Sequence, residues 1–422
     1  MKYRLHLLTR AAIALAVSMA FASTTALAAK DTIKIGLIDP LSGPFANIGD
    51  LGVKGFTSIA DHINEEGGIL GKEVEIVPFD NKGSAQESLQ NLQEAADEGI
   101  QYITQGLGSN VGNALVDGVE KHNRRNPDKR IIYLNFAAVD PALTNEKCSF
   151  WHFRFDANSA MKMKVITDYM ADQEQIKKVF LINQDYSHGQ FISKAGKELL
   201  AEKRPDIEIV GDVLHPLGKV KDFSPYISQI KSSGADAVIT GNWGNDLALL
   251  VKAGAQAGLD VNYYTYYGSL VGTPRGIGEA GKGKVKTITE YQENLAVTKN
   301  LSDLQEFQEN FEEKYAPLEF NVLRTKTEME MLAKAMEKAG TTDPLEVAYA
   351  MEGMTLETGL GKVTMRAKDH QMLQPLFIST LSEDYEKYDA EGTGLGWKTN
   401  IEIPADETAV PSSCDMERPP RS

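Results

Sequence analysis

Short apolar runs that read as strands alternate with amphipathic helical stretches twice along this chain, and that alternation limits the fold more than any motif does. In the first cycle 32–38 (TIKIGLI), 74–79, 100–105 and 130–136 read as strands. Between them 49–64, 81–97 and 112–121 carry apolar residues at helical spacing, with Leu51, Phe56, Ile59, Ala60 and Ile63 on one face of the first. Glycines suited to positive φ, Gly67, Gly68 and Gly71, stop that helix. The second cycle places strands at 177–183, 207–212, 235–240 and 262–267, separated by helices that end near 202, 232 and 257.

Strands alternating with helices imply right-handed βαβ units on parallel sheets, an α/β fold of doubly wound, Rossmann-like lobes. Ligands of such sheets sit beyond the carboxyl ends of the strands. The loops 39–49, 106–112 and 137–145 therefore share one face of the first lobe, and 184–189, 241–245 and 267–273 one face of the second. Among them Gly106-Leu107-Gly108-Ser109-Asn110-Val111-Gly112 has the form of a strand exit, a tight turn and a helix start. Backbone N–H groups and the Ser109 hydroxyl there can face an anion. An ordinary helix cap is the plainer use of Ser109.

The second cycle is followed by a helical portion, with amphipathic stretches at 304–315, 325–339 and 344–351, then strands near 359–364 and 374–381. Past about 400 the chain turns acidic and Pro-rich and reads as an irregular tail, 401–422.

At the other end, Lys2, Arg4 and Arg10, an apolar stretch over 11–21 and Ala26-Leu27-Ala28 read as a secretory signal peptide, residues 1–28. The apolar run is too short for a membrane anchor. Removing it takes three positive charges from a chain of formal charge −15, leaving −18. So acidic an exported protein is a poor partner for nucleic acid or anionic membranes, and direct membrane insertion is not expected. Cys148 and Cys414 either pair in an oxidising compartment or stand as lone thiols. Seven scattered His show no metal-ligand spacing, so neither a metal nor a cofactor is expected.

Ile35-Gly36-Leu37, Leu41-Ser42-Gly43-Pro44 and Ile63-Asn64-Glu65-Glu66-Gly67-Gly68-Ile69-Leu70-Gly71 carry a wider pattern. It continues through Gly108-Ser109, Ala137-Ala138, Asp185-Tyr186-Ser187-His188-Gly189, Lys221-Asp222-Phe223-Ser224 and Arg366, Asp369-His370-Gln371, Pro375-Leu376. The chain thereby resembles the leucine/isoleucine/valine-binding type of periplasmic protein, the type I solute-binding components of ABC importers. That resemblance implies two lobes joined by a three-segment hinge, with crossovers near 156, 290 and 363. Lobe one would be 29–156 with 290–362, and lobe two 157–289 with 363–400. It implies a monomer in the periplasm that delivers its ligand to a membrane permease with a cytoplasmic ATPase. It also implies that Ser109, flanked by Gly108 and Asn110, and the backbone at Ala137 and Ala138 hold a ligand carboxylate.

The departures from the family pattern bear on the ligand. Amino-acid binders of this type have a Thr where this chain has Val139, a Tyr at His188, and an acid near Tyr267 that grips the ammonium. An unpaired ammonium in a dry cleft would cost several kcal/mol. The cleft lining expected instead is apolar and aromatic: Ile48, Tyr186, His188, Trp243 and Tyr267. Such a wall suits an aromatic or hydrophobic acid first, with a branched-chain or other apolar amino acid second. A ligand-sensing receptor of the same fold is the other class. Catalysis is not expected. Gly276-Ile277-Gly278-Glu279-Ala280-Gly281 matches a dinucleotide fingerprint but follows a loop rather than a strand, and Leu107 breaks a GxSxG pattern at Ser109.

Overall fold

The computed structural model describes residues 32–421, so the expected leader lies outside the described residues. Five strands, β1 (Thr32–Asp39), β2 (Glu73–Asp80), β3 (Tyr102–Gln105), β4 (Ile132–Asn135) and β5 (His152–Arg154), form one sheet in the order β2-β1-β3-β4-β5. Every pairing in it is parallel. The second sheet is built from β6 (Lys178–Gln184), β7 (Glu208–His215), β8 (Ala237–Thr240), β9 (Asn262–Thr265) and β10 (Val285–Thr289). A small antiparallel sheet follows, of β11 (Thr355–Thr358), β12 (Gly361–Met365) and β13 (Met372–Leu373). The chain then returns to the second sheet with β14 (Leu376–Ser382) and β15 (Gly396–Ile403), giving the order β15-β14-β10-β9-β8-β6-β7 with β14 and β15 antiparallel. This is the α/β, two-lobed architecture expected from the alternation.

The strands are short because both of their faces are covered. All four residues of β3, β4 and β8 are buried, as a sheet with helices on each side requires. In β6 the side chains alternate between two separate cores: Val179 and Leu181 pack on one face, Phe180 and Ile182 on the other. The helix Ala46–Glu65 buries Leu51, Phe56, Ile59 and Ala60. It ends where Gly67 and Gly68 take φ of 109° and 74°, and the Gly68 N–H closes back on the Ile63 carbonyl at 2.9 Å.

Three elements have no clear sequence signal. β5 is only three residues long, and β10 follows the Gly-rich stretch 276–283. The helix Ser159–Ala171 buries Met161, Lys162, Met163, Val165 and Ile166, so it lacks the polar face that periodicity detects. The tail is more regular than its composition suggests. Ile401–Ile403 complete β15, and a turn of helix, Ala405–Thr408, follows. Beyond it a disulfide joins Cys414 to Cys148, and Ser412 Oγ donates to the Thr144 carbonyl at 2.7 Å.

Candidate functional site

The loops that leave β1, β3 and β4 face those that leave β6, β8 and β9 across a cleft. Asp39, Gly106, Leu107, Gly108, Ser109, Ala137 and Val139 line it from the first sheet, and Tyr186, Trp243, Tyr267 and Leu270 from the second. The helix Ala46–Glu65 adds Ile48, Leu51, Gly52 and Gly55. The space between these residues is about 760 Å³ with the open mouth included.

The anion-facing turn takes its shape from Gly108. With φ 92° it adopts a backbone that a side chain would strain, and it stands as N-cap of the helix Ser109–Arg125. Ser109 is thus the first helical residue and does not cap the helix with its side chain. Its hydroxyl, its N–H and the N–H of Asn110 take no partner among the described residues. A helix start with free donors is chemically able to receive an anion. The Asn110 side chain itself is exposed and does not line the cleft.

Ala137 and Ala138 differ from expectation. Both of their N–H groups donate to Asn135 Oδ1, at 3.2 and 2.7 Å. Asn135 Nδ2 returns a bond to the Ala138 carbonyl at 2.9 Å, so the donors assigned to the ligand are used inside the turn. Ala137 still lines the cleft, whereas Ala138 is buried behind it. The Val139 N–H has no partner among the described residues. Arg154 braces this loop from behind: Nη1 donates to the Asp140 carbonyl at 2.6 Å, Nη2 to Thr144 Oγ1, and Nε to Gln371 Oε1 at 2.8 Å.

On the opposite wall Trp243 Nε1 donates to the Tyr186 hydroxyl at 2.9 Å. Tyr267 donates its hydroxyl to Asp156 Oδ2 at 3.0 Å, and Lys162 Nζ lies 4.5 Å from the centre of its ring. His188 is not part of the lining. It is fully buried, with Nδ1 2.7 Å from Ser159 Oγ, and burial first, then the nearby Lys162, lowers its pKa to about 3. A neutral ring packed beside Tyr266 supports the wall and offers the ligand no charge.

Sequence reasoning missed the charged side of the cleft. Arg324 and Thr325 reach it from the helix Leu323–Ala339, with Phe320 and Val322 just before. Arg324 donates through Nη1 to Glu290 Oε1 at 2.6 Å and through Nε to the Phe136 carbonyl, with Asp156 Oδ2 3.7 Å away. Lys162 Nζ lies 2.8 Å from Asp156 Oδ1, both groups buried. Burial pushes the Asp156 carboxyl up, but Lys162 and Arg324 outweigh it and hold it below the usual carboxylate range. Asp39 was read only as part of a turn-rich loop. It is buried and lines the cleft, and burial raises its pKa to about 7 against the bonds it accepts from Leu107 and Gly106.

The family model for periplasmic binding proteins matches residues 32–386, nearly the whole of the described chain. The chain belongs to the periplasmic binding proteins. Members of this family bind solutes rather than transform them, and the family places the chain among exported proteins. One relative, the Leu/Ile/Val-binding protein homolog 4 of Brucella melitensis, is 31% identical over 403 residues, covering 93% of this chain and 94% of that one. The closed crystal structure of a leucine-, isoleucine-, valine-, threonine- and alanine-binding protein from Brucella ovis superposes with a TM-score of 0.82 at 30% identity, over 92% of this chain and 100% of that one. A solute-binding protein of an ABC transporter from Rhodopseudomonas palustris, in complex with 3,4-dihydroxybenzoic acid, shares the fold at a TM-score of 0.75 and 21% identity, over 89% of this chain and 98% of that one.

Proposed function

We propose that this periplasmic binding protein is the capturing component of an ABC importer and takes a small hydrophobic carboxylate into its cleft. The observation that carries this reading is the Gly108–Ser109 turn. Unpaired N–H groups at Ser109 and Asn110 and the Ser109 hydroxyl stand in a cleft whose other lining is mostly apolar and aromatic, with Asp39, Arg324 and Thr325 as its polar members. Such donors hold a carboxylate by charge-assisted bonds, while the rings and aliphatic chains opposite take up its body. Closure follows from hinge bending at the crossovers near 156, 290 and 363, between a lobe of 29–156 with 290–362 and one of 157–289 with 363 onward. The closed monomer then docks on its permease.

Two kinds of carboxylate fit this description. Trp243, Tyr186 and Tyr267 favour the aromatic or hydrophobic acid that the sequence puts first. Asp39 on the cleft wall favours the apolar amino acid, as do the names of the relatives that are 31% and 30% identical. A thermal-shift and calorimetry panel of benzoate, 3-phenylpropanoate, 4-methylpentanoate, L-leucine and L-phenylalanine, each beside its neutral amide, tests the reading. At least one carboxylate is expected to raise the melting temperature by several degrees where its amide does not, as saturating a native-state site does. Equal stabilisation by amides, or none by any carboxylate, refutes it.

A further inference from the structure

The floor of the cleft holds a carboxyl that pairs with no cation among the described residues. Asp39 ends β1 and accepts the N–H groups of Leu107 and Gly106 on Oδ1, at 3.0 and 3.3 Å. Its other oxygen, Oδ2, faces the helix Ala46–Glu65 at a glycine: a Cβ on Gly52 would stand 3.9 Å from it. Gly52 and Gly55 both line the cleft there and have no side chain with which to cover this carboxylate.

Behind Asp39 lies a second buried acid, Glu328. Its Oε1 accepts the Thr104 hydroxyl at 2.6 Å, and its Oε2 is buried with no partner. The cations close by are already engaged. Arg324 is bonded to Glu290 and the Phe136 carbonyl, and Lys162 to Asp156. Lys162 and Arg324 are thus matched by Asp156 and Glu290, and burial holds the Glu328 carboxyl up at about 8, so Asp39 is left with no cation of its own. A ligand carboxylate placed at Ser109, only two residues beyond Leu107, would add a further negative charge to a water-poor space. Uncompensated charge of that kind is expensive.

We propose that Asp39 is the specificity residue of the cleft, its carboxylate receiving from lobe one a cationic nitrogen that the ligand carries beside its own carboxylate. The proposal rests on the carboxylate reading above and narrows it to acids that bear an amine. It also answers the missing acid at Tyr267: the counter-charge stands on the other lobe, at the end of the first strand. The same ligand would then be held at both ends by one lobe, Asp39 at the nitrogen and the Ser109 turn at the carboxylate, leaving the aromatic wall of the second lobe to close on its body. Burial lifts Asp39 to about 7, and a bound cation draws it back down. Glu328 from the helix Leu323–Ala339 and Tyr133 from β4 are the titratable groups that also face it, and the Gln105 side chain bonds to it. None of these adds a positive charge that Asp39 could take instead of the ligand's.

The test compares pairs of ligands that differ only in the amine: L-leucine with 4-methylpentanoate, and L-phenylalanine with 3-phenylpropanoate. With the wild-type protein in calorimetry, the amine-bearing member of at least one pair is expected to bind about thirtyfold or more tightly. Its advantage is expected to grow from pH 5.5 to pH 8 as Asp39 ionises. Asp39→Asn is expected to bring the two members of the pair level. Asp39 also accepts two backbone bonds, so the variant is checked by melting, and the wild-type pairs decide the matter if it does not fold. Equal or tighter binding of the des-amino acids overturns the role of Asp39 while leaving the carboxylate reading intact. Binding of neither member of either pair overturns the role of Asp39, and overturns the carboxylate reading as well if benzoate also fails to bind.

Discussion

The rings of Phe45 and Trp243 meet across the cleft with their centroids 4.7 Å apart. Phe45 follows β1 and Trp243 follows β8, so this contact joins the two sides that separate in the proposed hinge motion. An aromatic pair contributes about 0.5–1.5 kcal/mol beyond its buried area. Phe45→Ala is therefore expected to weaken ligand binding two- to tenfold by lowering the closed population, with the fold unchanged. Small-angle scattering of the liganded variant should show a larger radius of gyration than wild type. An unaltered affinity would mean that the ring contact does not bias closure.

Ser109 can be tested apart from the backbone donors around it. Its hydroxyl has no partner among the described residues, so Ser109→Ala strands no internal group. The loss then reports the ligand bond alone, about 1–3 kcal/mol for a charged acceptor. Calorimetry with whichever carboxylate stabilises the wild type is the measurement. Asn135→Ala is a useful contrast. It frees the N–H groups of Ala137 and Ala138 but removes the acceptor that shapes their turn, so melting temperature and affinity are expected to fall together.

Much of the fold was legible because parallel strands covered on both faces leave short, continuous apolar runs, such as Tyr102–Gln105 and Ala237–Thr240. The walls of the cleft were legible for the same reason, since strand ends fix which loops share a face. What stayed hidden depends on contacts between distant residues. The helix Ser159–Ala171 carries a buried Lys162 in its first turn, tolerable because Asp156 lies beside it in space. Arg324 reads as one more polar residue of a helix until the fold places it against Glu290. The Ala137-Ala138 turn shows the reverse case. Asn135 stands two residues before Ala137, a spacing that signals a side chain turning back on its own backbone, and that local cue was outweighed by the family pattern.

The buried pair Lys162–Asp156 gives a sharp stability test. Burial pulls the Lys162 ammonium down, and Asp156 pulls it back. Lys162→Met keeps the volume of the chain but leaves Asp156 with Arg324 at 3.7 Å as its remaining cation. Removing one partner of such a pair costs about 3–5 kcal/mol. Chemical denaturation should show that loss, and the double variant Lys162→Met with Asp156→Asn should recover part of it. No recovery would show that the two groups are not energetically coupled.

The tail is held by more than its disulfide. Arg366 Nη1 donates to the Val410 carbonyl at 2.8 Å, the Ser413 N–H to Asn145 Oδ1 at 2.9 Å, and Arg418 Nε lies 2.8 Å from Glu352 Oε1. The disulfide closes a loop of 266 residues between Cys148 and Cys414. Restricting so long a loop in the unfolded chain stabilises the fold, and removing a native disulfide costs about 2–5 kcal/mol. Cys414→Ser is expected to lower the unfolding free energy from chemical denaturation by that amount and to expose the last residues to limited proteolysis. A tail that stays protected in this variant would assign its docking to the hydrogen bonds alone.

Buried carboxyls also set how stability depends on pH. Burial, then Glu312 and Glu391 nearby, raises Glu293 to about 8, and burial with Glu293 and Glu391 raises Glu319 to about 9. These acids keep their protons in the folded chain at pH values where the unfolded chain has released them. The folded state then binds more protons from about pH 4.5, the ordinary glutamate range, up to the raised values of about 8 and 9. Stability therefore falls as pH rises through that window and levels off above it. Glu293→Gln removes one such group while keeping its shape. Its melting temperature is expected to match wild type at pH 5 and to exceed it by a few degrees at pH 8.5. A variant that melts earlier than wild type at pH 8.5 would mean that Glu293 is held ionised by a partner, and that the acid cluster adds to stability at high pH instead of opposing it.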